Sequence, residues 1–101
     1  MYIGCYLDAS ARAFSYVLSS NYVSPSYCAQ QAAGLGYLYY GLQNVQSGYV
    51  ECWMGNDLGN IVKYGVSTGC SQDYYSGLTV GGGWINAVYS VSGIAKILNF
   101  I

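Results

Sequence analysis

Residues 47–54 read SGYVECWM. Successive side chains of an extended chain point to opposite sides, so Tyr49, Glu51 and Trp53 share one side and Val50, Cys52 and Met54 the other. The second set is uniformly apolar. The pattern predicts a strand with that side against a core. Trp53, opposite in phase to Cys52, is expected at the surface or half-buried.

Reading outward, YLYYGLQN (37–44) is aromatic-rich and predicts a second strand. Before it lies SPSYCAQQAAGLG (24–36). Ser24 is a good N-cap acceptor, and Pro25, the only proline, suits the first helical position. The residues Ala29 to Ala33 are mostly strong helix formers, and Gly34 suits the left-handed residue that ends a helix. A short helix follows, with Cys28 and Ala32 on one face. Tyr2 to Tyr6 reads as a short strand. Asp8 to Ser20 reads as a turn and a short helical piece around ARAFSYVL, with Phe14, Val17 and Leu18 on one side. The segment 55–77 is rich in Gly, Asn and Ser and predicts long loops. GGGWINAVYSV (81–91) predicts a glycine turn and a strand in which Ile85, Ala87, Tyr89 and Val91 alternate with Trp84, Asn86, Val88 and Ser90.

The expected fold class is α+β: a small disulfide-stapled domain, an antiparallel sheet with one or two short helices packed on it and long Gly/Ser-rich loops. It spans 1–91. Residues 92–101, SGIAKILNFI, form an apolar C-terminal tail or linker whose Ile94, Ile97, Leu98, Phe100 and Ile101 are candidates for assembly onto a neighbouring copy. That tail is far shorter than the ~20 residues a membrane-spanning helix needs, so no membrane span is expected in this segment.

Of 101 residues, 53% are hydrophobic and only 7% charged, against roughly 25% in ordinary soluble domains. A surface this neutral suits a sugar coat, burial against copies of the same chain, or a disulfide-hardened secreted module. The net charge is −1, with no basic patch, which removes the main energetic term of nucleic-acid binding. Residues 1–10, MYIGCYLDAS, show no leader pattern. The four cysteines are an even set, and two disulfides among them allow three connectivities. A zinc site of four thiolates usually needs closely spaced pairs, whereas the spacings here are 23, 24 and 18.

Histidine is absent, so there is no imidazole base. Glu51 and Asp57 offer two carboxylates of the kind a glycosidase pairs, and both also read as ordinary strand-face and turn residues. Asn56, Asp57 and Asn60 miss the spacing of a calcium loop. GLG (34–36) and GGG (81–83) lack the pattern of a phosphate cradle. No enzyme, metal or cofactor is therefore expected. The aromatic residues remain. Tyr and Trp rings offer flat apolar faces with a polar edge, which suit the C–H faces of sugars. Trp53, Tyr39, Tyr40, Tyr49, Tyr74 and Tyr75 are the carbohydrate-binding candidates. No Asn-x-Ser/Thr site occurs, so covalent glycan is expected only as O-linked sugar, on serines such as Ser19, Ser20 and Ser24.

These landmarks come in a fixed order: GCYLD (4–8) with Arg12, a helix carrying Cys28, GYLYYGLQ (36–43), ECWMGN (51–56), Cys70 with Gly77 after it, and GGGWINAVYS (81–90). The order resembles the WSC domain, a cysteine-rich module of fungal cell-wall sensors, some carbohydrate-active enzymes and animal surface receptors. The resemblance runs from Tyr2 to Ser90. The family usually carries eight cysteines. Here Ala32, Met54, Val80 and either Tyr74 or Tyr75 stand at four of those places. The resemblance implies loss in whole pairs, which leaves Cys28–Cys52 and Cys5–Cys70. It also implies a non-catalytic extracellular or cell-surface module that binds or carries carbohydrate, with polysaccharide or covalent glycan as partner. The alternative expectation is a repeating structural subunit of a glycosylated filament or coat, a homo-oligomer assembled through the low-charge surface and the tail.

Overall fold

The computed structural model describes residues 1–19 and 21–91. Ser20 and the tail candidates Ile94, Ile97, Leu98, Phe100 and Ile101 lie outside them. The elements are β1 (Tyr2–Leu7), β2 (Tyr16–Val17), α1 (Pro25–Gly34), β3 (Tyr39–Gln46), β4 (Tyr49–Gly55), α2 (Leu58–Ile61), β5 (Cys70–Gln72), β6 (Thr79–Gly81) and β7 (Ile85–Ser90). Five strands form an antiparallel sheet in the order β1-β7-β3-β4-β2, and β5 and β6 make a separate pair. The α+β class, the antiparallel sheet and the short helices are as the sequence predicts. Among the described residues no helix is long and apolar enough to cross a membrane.

β3 and β4 form the central hairpin, with Leu42 opposite Cys52 and Gly41 opposite Trp53. Ser47 (φ 49°) and Gly48 (φ 89°) turn the chain between them, and two consecutive positive φ values match the right-handed twist of the flanking strands. The last strand, β7, enters between β1 and β3 and so occupies the interior of the sheet.

One face of the sheet packs against α1. Cys28 and Ala32 meet Leu42, Val50, Cys52, Met54, Ala87 and Tyr89 in a single buried cluster. Ser24 caps the helix, its hydroxyl accepting from Tyr27 N at 3.2 Å, and Pro25 follows as its first residue. Gly34 lies within the helix, not beyond it, and the left-handed residue is Gly36 (φ 82°). The Cys28–Cys52 disulfide, with Cα atoms 5.5 Å apart, pins α1 to β4 from inside this core, and Cys5–Cys70, at 5.9 Å, ties β1 to β5. These are the two pairs implied by the resemblance. Ala32 and Met54, at two of the positions where it expects further cysteines, are both fully buried beside the first bridge. Val80 is buried as well, whereas Tyr74 and Tyr75 are exposed.

The other face carries a smaller cluster of Phe14, Ile61 and Val88, with Tyr6, Tyr39, Trp53 and Val62 against it. Phe14 lies so close over Gly41 that a Cβ there would sit 2.5 Å from its Cε2. The helical piece expected around ARAFSYVL does not form. The Asp8 carboxylate instead accepts from the backbone N–H groups of Ala9 and Ala13, and Tyr16–Val17 pair with β4 as an edge strand. Carboxylates near the backbone compete with helix in this way. Phe14 is buried, Val17 exposed and Leu18 packed at the rim of the first cluster. The segment 55–77 contains the single turn α2, capped by Asp57, and the short strand β5 as well as loops.

The bridges differ in access: Cys28 and Cys52 are at most 1% exposed, while Cys5 and Cys70 are half-buried. Mild reductant is expected to open Cys5–Cys70 first and to leave Cys28–Cys52 closed until the domain unfolds, as timed alkylation with peptide mass mapping will show. Replacing both Cys28 and Cys52 by alanine is expected to cost about 3 kcal/mol in denaturant unfolding.

Candidate functional site

An open groove of about 400 Å³ lies at the hairpin end of the sheet. Three segments build it: Ser24, Pro25 and Ser26 at the start of α1, Ser47, Gly48 and Tyr49 at the β3–β4 turn, and Tyr75, Ser76 and Leu78 before β6. None of these side chains is charged. The buried Asp73 shapes the third segment. Its carboxylate accepts from Ser76 N at 2.8 Å, and its backbone bonds Leu78 and Gly77, the latter at φ 74°. Gly48 lets Tyr75 settle against the turn, since a Cβ at 48 would stand 2.8 Å from Tyr75 Cβ. Tyr49 and Tyr75 are 54% and 70% exposed, so two phenol rings and a set of serine hydroxyls stand open to solvent in one concavity.

Further along the same strand is a second arrangement. The Arg12 guanidinium lies over both tryptophans, 4.5 Å from the ring centroid of Trp53 and 4.2 Å from that of Trp84. Its Nη1 donates to Asp8 Oδ2 at 3.0 Å and to Gln43 Oε1 at 3.2 Å. Gln43 Nε2 donates in turn to Asp8 Oδ2 and to Asn86 Oδ1. Asn86 Nδ2 is the one buried side-chain nitrogen or oxygen without a hydrogen-bond partner among the described residues. Burial of Asp8 on its own raises its pKa. Hydrogen bonds from Ala13 N, Gln43, Ala9 N and Arg12 outweigh that and hold the carboxyl below its ordinary value. The loop that carries Arg12 is also held from outside, by Asn60 Nδ2 donating to Ala13 O and by the Tyr64 hydroxyl donating to Ala11 O. Beside the tryptophans, Trp53 Nε1 donates to Glu51 Oε1 at 3.1 Å, and Asn44 Nδ2 donates to Glu51 Oε2 at 3.1 Å and to the Tyr22 hydroxyl at 2.9 Å.

The family model for the WSC domain matches residues 2–76. The chain belongs to the WSC domain family. No curated protein matches it. Membership makes an extracellular carbohydrate-binding module the expected class, and two disulfides with no free cysteine suit an oxidising compartment.

In this WSC domain the aromatic candidates separate into distinct environments. Tyr49 and Tyr75 meet in the groove, and Tyr74 stands 93% exposed with its ring edge-on to Tyr75. Trp53 is half-buried under Arg12. Tyr39 is half-buried against the second cluster. Tyr40 requires a correction: it is buried and stacked on Tyr89, with centroids 5.2 Å apart and ring planes 6° apart. Burial, with the neighbouring Tyr89 phenol adding to it, pushes its hydroxyl up to about 12. Its ring belongs to the core because it shares the phase of Leu42 along β3. The sequence reading missed Trp84, Arg12, Asn44 and Tyr22 as site residues. Trp84 and Asn44 do carry a local mark, since both hold positive φ (59° and 56°), but that mark is visible only in the backbone.

Other side chains already have structural work. Glu51 is bonded to Trp53 and Asn44, and Asp57 accepts from Asn60 N to cap α2. Among the described residues no three of His, Cys, Asp and Glu are grouped to hold a metal. Ser24 Oγ serves as the helix cap, and Ser19 Oγ accepts from Asn21 N.

Asp8 sets a pH dependence whose sign follows from its lowered pKa. Its contribution to stability is complete above the unfolded carboxylate value of about 3.9 and is lost as pH falls through the lower folded value. Thermal melts from pH 7 to pH 2 are expected to show this acid decline. Asp8→Asn places an amide donor against Gln43 or Arg12. It is expected to lose about 2 kcal/mol at neutral pH and to show a flatter acid limb.

Proposed function

We propose that this domain is a non-catalytic extracellular module that binds neutral polysaccharide at a cell surface or wall, and that it does so in the groove between Tyr49 and Tyr75. The observation that carries this reading is the lining itself: two exposed rings, four serines and no charge around one concavity of about 400 Å³. A pyranose presents apolar C–H faces and a rim of hydroxyls. The rings match the faces and the serines match the rim. An acidic glycan would find no cation in the groove to replace its lost hydration. The low overall charge of the chain agrees with a neutral partner.

The test is retention of the folded domain on immobilised neutral polysaccharides, with acidic ones as comparison. Neutral polymers are expected to retain it. Tyr49→Ala combined with Tyr75→Ala is expected to weaken binding about tenfold or more, the sum of two stacking contacts of roughly 0.5–1.5 kcal/mol each. The melting temperature should change little, because both rings are more than half exposed. Undiminished binding by the double variant, or retention on acidic polymers alone, would overturn the assignment.

A further inference from the structure

We propose that the glycan site extends beyond the groove. A bound chain runs from Tyr49 along the outer face of β4 to Trp53 and Trp84, so the domain recognises the interior of a polysaccharide several sugar units long. This rests on the glycan reading above and adds the length and path of the ligand. Strand alternation places Tyr49, Glu51 and Trp53 on one side of β4. At about 3.4 Å of rise per residue, Tyr49 and Trp53 lie roughly 13–14 Å apart, a span longer than one sugar ring. An aromatic group stands at each end: Tyr49 with Tyr75 in the groove, and at the Arg12 end the half-exposed Trp84, with Trp53 half-buried beside it.

Between the platforms the surface is polar and ordered. Glu51, half-buried, receives hydrogen bonds from Trp53 and Asn44, and Asn44 also bonds the Tyr22 hydroxyl. A carboxylate has lone pairs beyond those two bonds and accepts sugar hydroxyls strongly. The Arg12 charge is matched by Asp8 at 3.0 Å, so the carboxylate of Glu51 is left uncompensated there and disfavours an acidic chain.

The far platform is held rigidly. Trp84 is half-exposed yet sits at φ 59°, a conformation that favours glycine. Its carbonyl accepts from Asp8 N at 2.9 Å, while Ile85 N bonds Gly82 O across the same turn. The guanidinium of Arg12 covers its ring and that of Trp53 together. Arg12 packs against this ring and half of its surface stays open, and a bulky ring held in place yet exposed is what a preorganised contact requires.

The experiment is calorimetric titration of the intact domain with an oligosaccharide ladder, from disaccharide to octasaccharide, cut from the neutral polysaccharide it retains. Affinity is expected to keep rising beyond the tetrasaccharide. Trp84→Gly, which suits the backbone and removes the ring, is expected to weaken the octasaccharide about tenfold and leave the disaccharide unchanged. Tyr75→Ala is expected to weaken every length. Glu51→Gln keeps the shape of the strand face and is expected to weaken the long members only, which secures the test if Trp84→Gly lowers the melting temperature. A plateau at the disaccharide, or octasaccharide affinity untouched by either variant, overturns the extended path while leaving the groove intact. Failure of every oligosaccharide and polysaccharide to bind overturns the glycan reading itself.

Discussion

The inward bond of Cys52 to Cys28 is the constraint on which the rest of this WSC domain depends. A strand has a two-residue period, so fixing one side chain inside fixes the side of every neighbour. With Cys52 bonded into the core, Val50 and Met54 must face α1, and Tyr49, Glu51 and Trp53 must face away. A slip of one residue would turn the polar and aromatic set inward and break the bond. The same bond holds α1, a ten-residue helix too short to persist alone, against the sheet. Ala32 and Met54 then fill the space beside it with apolar volume.

On the opposite face the organising element is electrostatic. Asp8 gathers four hydrogen bonds and is fully enclosed, which takes the following loop out of helical geometry and presents Arg12 over the tryptophans. The sheet is thus covered by a helix and a disulfide on one side and by a loop built on a carboxylate on the other. The strip between the loop and the hairpin turn is where Tyr49 and Glu51 come to the surface, with Trp53 half-buried under Arg12 at its end.

Much of this was legible in residue order. The alternation of SGYVECWM assigned the faces of β4, and Ser24-Pro25 placed the start of α1. Tyr40 could have been read as core from its phase with Leu42, since both lie one residue away from the Gly41 that admits Phe14. What local pattern does not encode is the meeting of distant segments. The entry of β7 between β1 and β3 brings Trp84 to Arg12, and no periodicity links those positions. In the segment after Asp8, the apolar spacing of ARAFSYVL suits a helical piece that does not form. The Ala13 N–H that a helix would have used is instead satisfied by the Asp8 carboxylate at its start.

The chain contains two tryptophans, and both lie against the same guanidinium. Excited at wavelengths where its thirteen tyrosines do not absorb, the protein emits from this one face alone. Its intrinsic fluorescence is therefore a built-in optical probe of that surface, carried without a label.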